Sequence, residues 1–203
     1  LNALIVFVKN PVLGKVKTRL AATTSAEVAL RVYSALVSHT QGILEGLPAH
    51  IRVYYSDQHE VNQGWPDMPC TVYVQQGNTL GERLHHAFRE TFDLGYRRVV
   101  VIGSDCLELT SNHLVSSFDL LTDHDIVIGP TFDGGYYLMG MTDFHSTLFA
   151  QKAWSTPLVY SQTLQDIEAL HLTWQALETL HDIDTYEDVL GTPLQDLLHT
   201  SSA

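Results

Sequence analysis

The sequence predicts an α/β fold in which a mostly parallel sheet is covered on both faces by helices. Three observations carry this reading. Short, continuous, apolar β-rich runs recur along the chain, as strands buried on both faces require. Stretches with apolar residues at helical spacing separate them. The distinctive polar residues stand directly after the strand runs, at the sheet edge where open α/β folds bind ligands.

The first strand is Leu4 to Val8. Lys9 to Leu20 contains Pro11 and Gly14 and reads as a loop that leads into a helix. Thr24-Ser-Ala-Glu27 has the capping-box form, and the helix after it places Val28, Val32, Leu36 and Ile43 near one face. Ile51–Tyr55 and Thr71–Val74 read as strands, and Gln58 to Pro69, polar with Gly64 and Pro66, reads as the loop between them. Thr79-Leu-Gly-Glu82 is a second capping box, opening a helix through Leu84, Phe88 and Phe92 that stops near Gly95. Arg98–Ile102 is a strand ending in Gly103-Ser104-Asp105. Thr110 or Ser111 caps a helix through Leu114, Phe118 and Leu121. Asp125–Ile128 is a strand, Gly129 to Gly135 a turn-rich loop, and Tyr136–Gly140 a further strand. Ser146 to Leu198 is predicted to be mainly helical, with a short strand over Thr173–Gln175. With no repeat, low-complexity tract or linker, the chain is expected to be one domain over residues 1–203.

Composition narrows the function. The 203 residues are 45% hydrophobic and 17% charged, which excludes intrinsic disorder. With 11 Lys and Arg against 23 Asp and Glu, the net charge is −12. Such a surface repels phosphate-rich polymers and anionic membranes, so nucleic acid is not an expected partner. Cys70 and Cys106 are too few for a disulfide scaffold, and a reducing, cytoplasmic setting is the expectation. No apolar run approaches ~18 residues, so no membrane span is expected, and Leu1 to Val8 is too short for a signal peptide.

The positive charge is uneven. Lys9, Lys15, Lys17 and Arg19 all precede the first acidic residue, Glu27. An acidic chain with one basic loop is suited to holding one local anion, although a solvated charge patch has the same composition. Carboxylates follow other strands: Asp105 in Gly103-Ser104-Asp105-Cys106, Asp133 in the 129–136 loop, and Asp182 and Asp184 near the end. A basic loop plus carboxylates from distant parts of the chain is what a phosphate–divalent-metal site requires. Cationic side chains neutralise phosphate oxygens, and hard carboxylate oxygens hold Mg²⁺. Neither a P-loop nor a GxGxxG fingerprint is present, since Val16 follows Gly14-Lys15 and no glycine-rich turn follows the first strand.

Several candidates have a plainer reading beside the functional one. Asp105 could cap a turn, Asp184 could be a helix N-cap, and Asp133-Gly134-Gly135 could be only a turn. The paired glycines would also let a ligand approach the backbone. Lys15, Lys17 and Arg19 are expected in an exposed loop, with Arg19 able to bind bidentately. Gly77, Asn78 and Arg83 stand where a helix begins and could meet a base or phosphate, or Arg83 could pair with a helix carboxylate. Cys106 reads as a packed thiol, and the 11 His residues form no zinc-type spacing.

Six motifs in order carry a resemblance over most of the chain. They are Lys9 to Leu20 (KNPxxGxVKTRL), Gln75 to Leu84 (QxGNxLGERL), Gly103 to Cys106 (GSDC), Gly129 to Leu138 (GPTFDGGYYL), Trp154 to Thr156 (WST) and Asp182 to Asp188 (DIDTYED). Together they resemble a bacterial GT-A-fold group, the "transferase/glycosyltransferase, radical-SAM/selenodomain-associated" family, related to phospholactate and molybdenum-cofactor guanylyltransferases. The last motif is also similar to the DTPEDL segment of sugar-acid cytidylyltransferases, whose first Asp ligates Mg²⁺. The resemblance implies a GT-A-like three-layer α/β/α sandwich that binds a nucleotide. It implies Mg²⁺ (or Mn²⁺) held by Asp105 and Asp184, with Asp182 next in line. Lys15, Lys17 and Arg19 would act on phosphates, and Lys9, Gly14, Gly77, Asn78, Arg83, Ser104, Asp133, Gly134 and Gly135 would shape the nucleotide and acceptor sites. Leu107 departs from the Pro common in that group after GSDC.

The favoured reaction is nucleotidyl transfer from an NTP to a small phosphorylated acceptor. The alternatives are glycosyl transfer from a nucleotide sugar and non-catalytic nucleotide or metabolite binding. A homo-oligomer stays open.

Overall fold

Seven strands form one sheet in the order β3-β2-β1-β4-β6-β5-β7 among the described residues, which are 1–57, 65 and 69–199 of a computed structural model. The strands are β1 Asn2–Val8, β2 His50–Tyr55, β3 Cys70–Val74, β4 Arg98–Ile102, β5 Ile126–Pro130, β6 Tyr136–Met141 and β7 Trp174–Ala176. Only β6 runs antiparallel, wedged between β4 and β5. The helices are α1 Thr18–Thr23, α2 Ala26–Ile43, α3 Leu80–Asp93, α4 Ser111–Leu120, α5 Val159–Ala169 and α6 Tyr186–Val189. The loop expected over Gln58 to Pro69 lies outside the described residues except at Trp65 and Pro69.

Strand alternation divides the core. Leu4, Val6 and Val8 point to one face, where they pack with Leu114 and Phe118 of α4 and Leu44 at the end of α2. Ile5, Val99 and Val101 point to the other face, against Leu84, Ala87 and Phe88 of α3 and Ile167 of α5. A third cluster joins Leu20, Val28, Val32 and Leu36 to Ile183, Val189 and Leu194, pinning the C-terminal segment against α1 and α2. The expected three-layer arrangement is therefore present, with a helical layer on each face. Among the described residues no helix is long and apolar enough to cross a membrane.

The helix caps show what sequence spacing reads well and where it slips by one. Thr79 accepts from Glu82 N at 3.2 Å and Thr110 from His113 N at 3.5 Å, as expected. The α2 cap is Ser25, which accepts from Val28 N at 3.2 Å, not Thr24. Thr24 instead donates to Leu20 O at 2.6 Å and closes α1. The largest correction concerns Ser146 to Leu198. Apart from α5 and β7, the short strand expected near Thr173–Gln175, this stretch holds the four-residue α6 and single 3₁₀ turns at Ser146–Phe149 and Gln195–Leu198. Its apolar residues are spaced to seal the sheet edge and α2 rather than to form one helical stripe.

Candidate active site

The chain moves from β1 outward to β2 and β3, then returns to place β4 on the other side of β1. The carboxyl ends of β1 and β4 thus flank a topological switch point, the usual crevice of such sheets. The loop after β1 supplies Lys9 to Lys17, and the turn after β4 supplies Ser104 and Asp105.

Lys17 is the hub. Its backbone is left-handed (φ 47°) at the N-terminal end of α1, between buried Val16 and Leu20. That turn sends the side chain inward, so it is 3% exposed. Its Nζ lies 2.7 Å from Asp105 Oδ1 and 3.5 Å from Asp184 Oδ1. The expectation that all three cations stand in an exposed loop is therefore corrected for Lys17. A buried ammonium needs paired carboxylates, and here it has two. Lys15 and Arg19 are exposed as expected, and Arg19 Nη1 reaches Asp184 Oδ2 at 3.2 Å.

The C-terminal segment reaches the site by crossing the carboxyl edge of the sheet. Leu180 N donates to Pro130 O at 3.1 Å, fixing it beside the end of β5. Ile183 N donates to Asp105 O at 2.8 Å, fixing it beside the end of β4. Asp184 then faces the cations of the β1 loop. It is not a helix cap: Thr185 holds that position, and Asp188 Oδ2 accepts from Asp184 N at 3.0 Å and Thr185 N at 2.7 Å. The Asp184 carboxylate is left for Lys17 and Arg19. Burial pushes the Asp182 carboxyl up to about 7, and the neighbouring Asp105 charge adds to this while Lys17 opposes it.

The remaining predicted residues form supports around this centre. Gly14 (φ 76°) shapes the β1 loop, with Lys15 N donating to Val12 O at 3.0 Å. Exposed Lys9 is anchored through its backbone: Lys9 N donates to the Tyr33 hydroxyl at 2.7 Å, and that hydroxyl donates to Lys9 O at 2.9 Å. Buried Ser104 donates to the same hydroxyl at 3.5 Å. Among the described residues Arg83 pairs with no helix carboxylate; it donates to Gly77 O at 3.0 Å and to Gln75 Oε1 at 3.2 Å. Asn78 N donates to Glu82 Oε2 at 2.7 Å, so the Gly77–Asn78 turn is held from both sides.

Asp133 Oδ1 accepts from Thr131 Oγ1 at 2.5 Å and Gly135 N at 3.1 Å, which makes it part of a turn. The close approach expected at Gly134 is to the protein itself. A Cβ there would stand 2.2 Å from Pro157 O, so the glycine admits the neighbouring chain rather than a ligand. Gly135 has only side-chain neighbours, Thr131 Oγ1 being nearest at 3.1 Å. Cys106 is buried and its thiol is pushed up to about 12, chiefly by desolvation, which suits the packed role.

Sequence reasoning missed Tyr33, Asp188 and Glu108. Tyr33 lies on the apolar stripe of α2, where a buried phenol implies a hydrogen-bond partner. Asp188 stands three places after Thr185, a capping-box spacing hidden by the metal-like motif. Glu108 accepts from His181 N at 2.8 Å, a pairing with no local sequence signal.

Among the described residues no three His, Cys, Asp or Glu side chains form a metal cage. Mg²⁺ does not need one, since it is commonly held by one or two carboxylates together with water and substrate phosphates. Asp105 and Asp184 present hard oxygens to one point, where the Lys17 ammonium supplies the positive charge. The residues fit.

Comparison with known proteins agrees with the fold. A protein of Desulfovibrio desulfuricans G20, whose assignment as a nucleotide-diphospho-sugar transferase is itself a proposal, is 30% identical with TM-score 0.87, covering 97% of this chain and 93% of its own. The 4-diphosphocytidyl-2C-methyl-D-erythritol synthase of Anaerococcus prevotii DSM 20548 is 11% identical with TM-score 0.63, covering 93% of this chain and 92% of its own. A CMP:2-keto-3-deoxy-manno-octonic acid synthetase complexed with CTP is 8% identical with TM-score 0.57, covering 91% and 93%. No curated protein matches the sequence. The fold is GT-A-like, of the type shared by nucleotide-diphospho-sugar transferases and cytidylyltransferases. The model of the bacterial family DUF2064, described as "uncharacterized protein conserved in bacteria", matches residues 43–156, and the chain belongs to that family.

Proposed function

We propose that the protein is a Mg²⁺- or Mn²⁺-dependent nucleotidyltransferase that binds an NTP at the β1/β4 crevice and transfers its nucleotidyl group to a small acceptor. The observation that carries this reading is the convergence of Lys17, Asp105 and Asp184, from three distant parts of the chain, at the switch point. Lys9, Lys15 and Arg19 lie on the same side and can neutralise a triphosphate. The backbone of the Gly77–Asn78 turn, held by Arg83 and Glu82, is a rigid wall for the nucleoside. Asp105 and Asp184 would hold the divalent ion, which would supply positive charge to neutralise the phosphates. No protein nucleophile is required. The chain's own work is positioning and electrostatic stabilisation of charge on the leaving pyrophosphate. The cytidylyltransferase-type neighbours support the NTP donor.

The test is a thermal-shift screen of NTPs and nucleotide sugars with and without Mg²⁺. A ligand at a hundredfold excess over its Kd adds about 2.7 kcal/mol of stability. An NTP that stabilises only with Mg²⁺, and releases pyrophosphate on addition of acceptor, is the expected result. Failure of every nucleotide to bind at millimolar concentration overturns it. The description of the Desulfovibrio relative favours a second reading, a nucleotide-sugar donor, and release of a nucleoside diphosphate would establish that one instead.

A further inference from the structure

The two halves of the carboxyl edge differ in charge. Ten of the 11 Lys and Arg residues lie within residues 1–98, and the remaining one is Lys152. The Lys152 ammonium is 1% exposed and already paired with Asp166. The crevice half built on β4, β6 and β5 therefore has no free Lys or Arg of its own. The charged residues it carries are acidic: Glu108 after β4, Asp133 after β5, and Asp182 on the crossing segment. The crossing segment is fixed at both ends of this half, since Leu180 N donates to Pro130 O at 3.1 Å and Ile183 N donates to Asp105 O at 2.8 Å, so Asp182 stands between the ends of β5 and β4. A second phosphate or carboxylate brought here would meet like charge, and the nearest cation, Lys17, is buried and already paired with Asp105 and Asp184.

The same half carries an exposed aromatic face. Phe132 is 65% exposed. Its ring stacks on His181 with centroids 4.1 Å apart and planes 21° from parallel. The stack is fixed from below, because Phe132 N donates to Leu180 O at 3.2 Å and His181 N donates to Glu108 Oε2 at 2.8 Å. His181 Nδ1 is 3.3 Å from the same carboxylate, so the imidazole already has an acidic partner. Asp133 Oδ2 has no hydrogen-bond partner among the described residues, whereas Oδ1 is occupied by its own turn. An open ring face next to carboxylate oxygens that are partly satisfied by local donors suits hydroxyl groups on an apolar carbon frame.

We propose that the acceptor is an uncharged polyhydroxyl compound, carbohydrate-like in chemistry, whose carbon face lies on Phe132 and whose hydroxyls donate to Asp133 and Glu108. The proposal rests on the transferase reading above and replaces the expectation of a phosphorylated acceptor. In the reaction, an acceptor hydroxyl oxygen forms a bond to the α-phosphorus. The bond from that phosphorus to the bridging oxygen breaks, its electron pair leaves with pyrophosphate, and the hydroxyl proton passes to solvent.

The experiment separates donor from acceptor. Nucleotide binding with Mg²⁺ is measured first by calorimetry. Acceptor binding to the nucleotide-loaded protein is then followed by ligand-observed NMR with glycerol, D-glucose and myo-inositol, with D-glucose 6-phosphate, and with choline. Binding of at least one neutral polyol, weakened about tenfold in Phe132→Ala and restored in Phe132→Tyr, is expected, with nucleotide affinity unchanged in both variants. If nucleotide binds but only the phosphorylated or the cationic probe does so, or no polyol binds at tens of millimolar, the acceptor proposal is overturned while the donor reading stands. If no nucleotide binds, it is the transferase reading that fails.

Discussion

Ile183 donates its backbone N–H to the carbonyl oxygen of Asp105 at 2.8 Å. This bond joins the end of a core strand to a segment near the C-terminus, and it brings the carboxylates of Asp105 and Asp184 to the same Lys17 ammonium, at 2.7 and 3.5 Å. The site is assembled by this contact, so its members should not respond equally to mutation.

Asp105→Asn is expected to be the more damaging of the two carboxylate changes. It removes the 2.7 Å partner of an ammonium that is 3% exposed, a loss of roughly 3 kcal/mol, whereas Asp184→Asn removes a longer 3.5 Å contact to that ammonium and a pair with exposed Arg19, and costs about 1 kcal/mol. Urea melts of the two variants check this. Equal destabilisation would show that Lys17 does not depend on Asp105. Both variants should also lose Mg²⁺-dependent nucleotide binding.

Lys15→Ala and Arg19→Ala change exposed side chains, so stability should stay within about ±0.5 kcal/mol. NTP affinity should fall in each, and more steeply at low salt, where screening is weak. Calorimetry at two ionic strengths reads this directly, and unchanged affinity in the double variant would remove the β1 loop from the phosphate site.

Asp182 gives the metal-free protein a distinctive pH profile. Its folded-state carboxyl titrates near about 7 against an ordinary value of 3.8. Between those values the folded chain holds a proton that the unfolded chain has lost. Wild-type stability should therefore decline with rising pH across that window and level off above it. In chelator-containing buffer, Asp182→Asn should gain on the wild type from about pH 4 to about pH 7. A stability difference independent of pH would contradict the burial of this carboxyl.

Tyr33→Phe deletes a hydroxyl that serves Lys9 N, Lys9 O and Ser104 together. Leaving these groups unpaired should cost about 1–3 kcal/mol. Hydrogen exchange at the Lys9 amide should accelerate more than at Val6, in the middle of β1. Protection retained at Lys9 would mean that another group holds the loop.

Much of the fold was legible because its signals are local. Apolar runs such as Arg98–Ile102 and capping pairs such as Thr79 with Glu82 lie within a few residues of one another. The antiparallel direction of β6 was not, since it depends on partners beyond its own run. The residue types of the site were legible too, but their burial was not. Lys17 reads as surface because charge normally stays in water, and only the approach of Asp105 and Asp184 from far along the chain makes its burial affordable. Gly134 misled for the same reason, as its crowding neighbour, Pro157, comes from a distant segment, just after the Trp154 to Thr156 motif.

The reversed strand β6 also acts as a spacer. Neighbouring strands stand about 4.7–4.9 Å apart, so placing one strand between β4 and β5 sets the loops that follow them roughly 9–10 Å apart. That separation is fixed by backbone pairing rather than by any side chain. Substitutions at Phe132, Glu108 or His181 would therefore alter the side chains these loops present while leaving the spacing of the loops as it is.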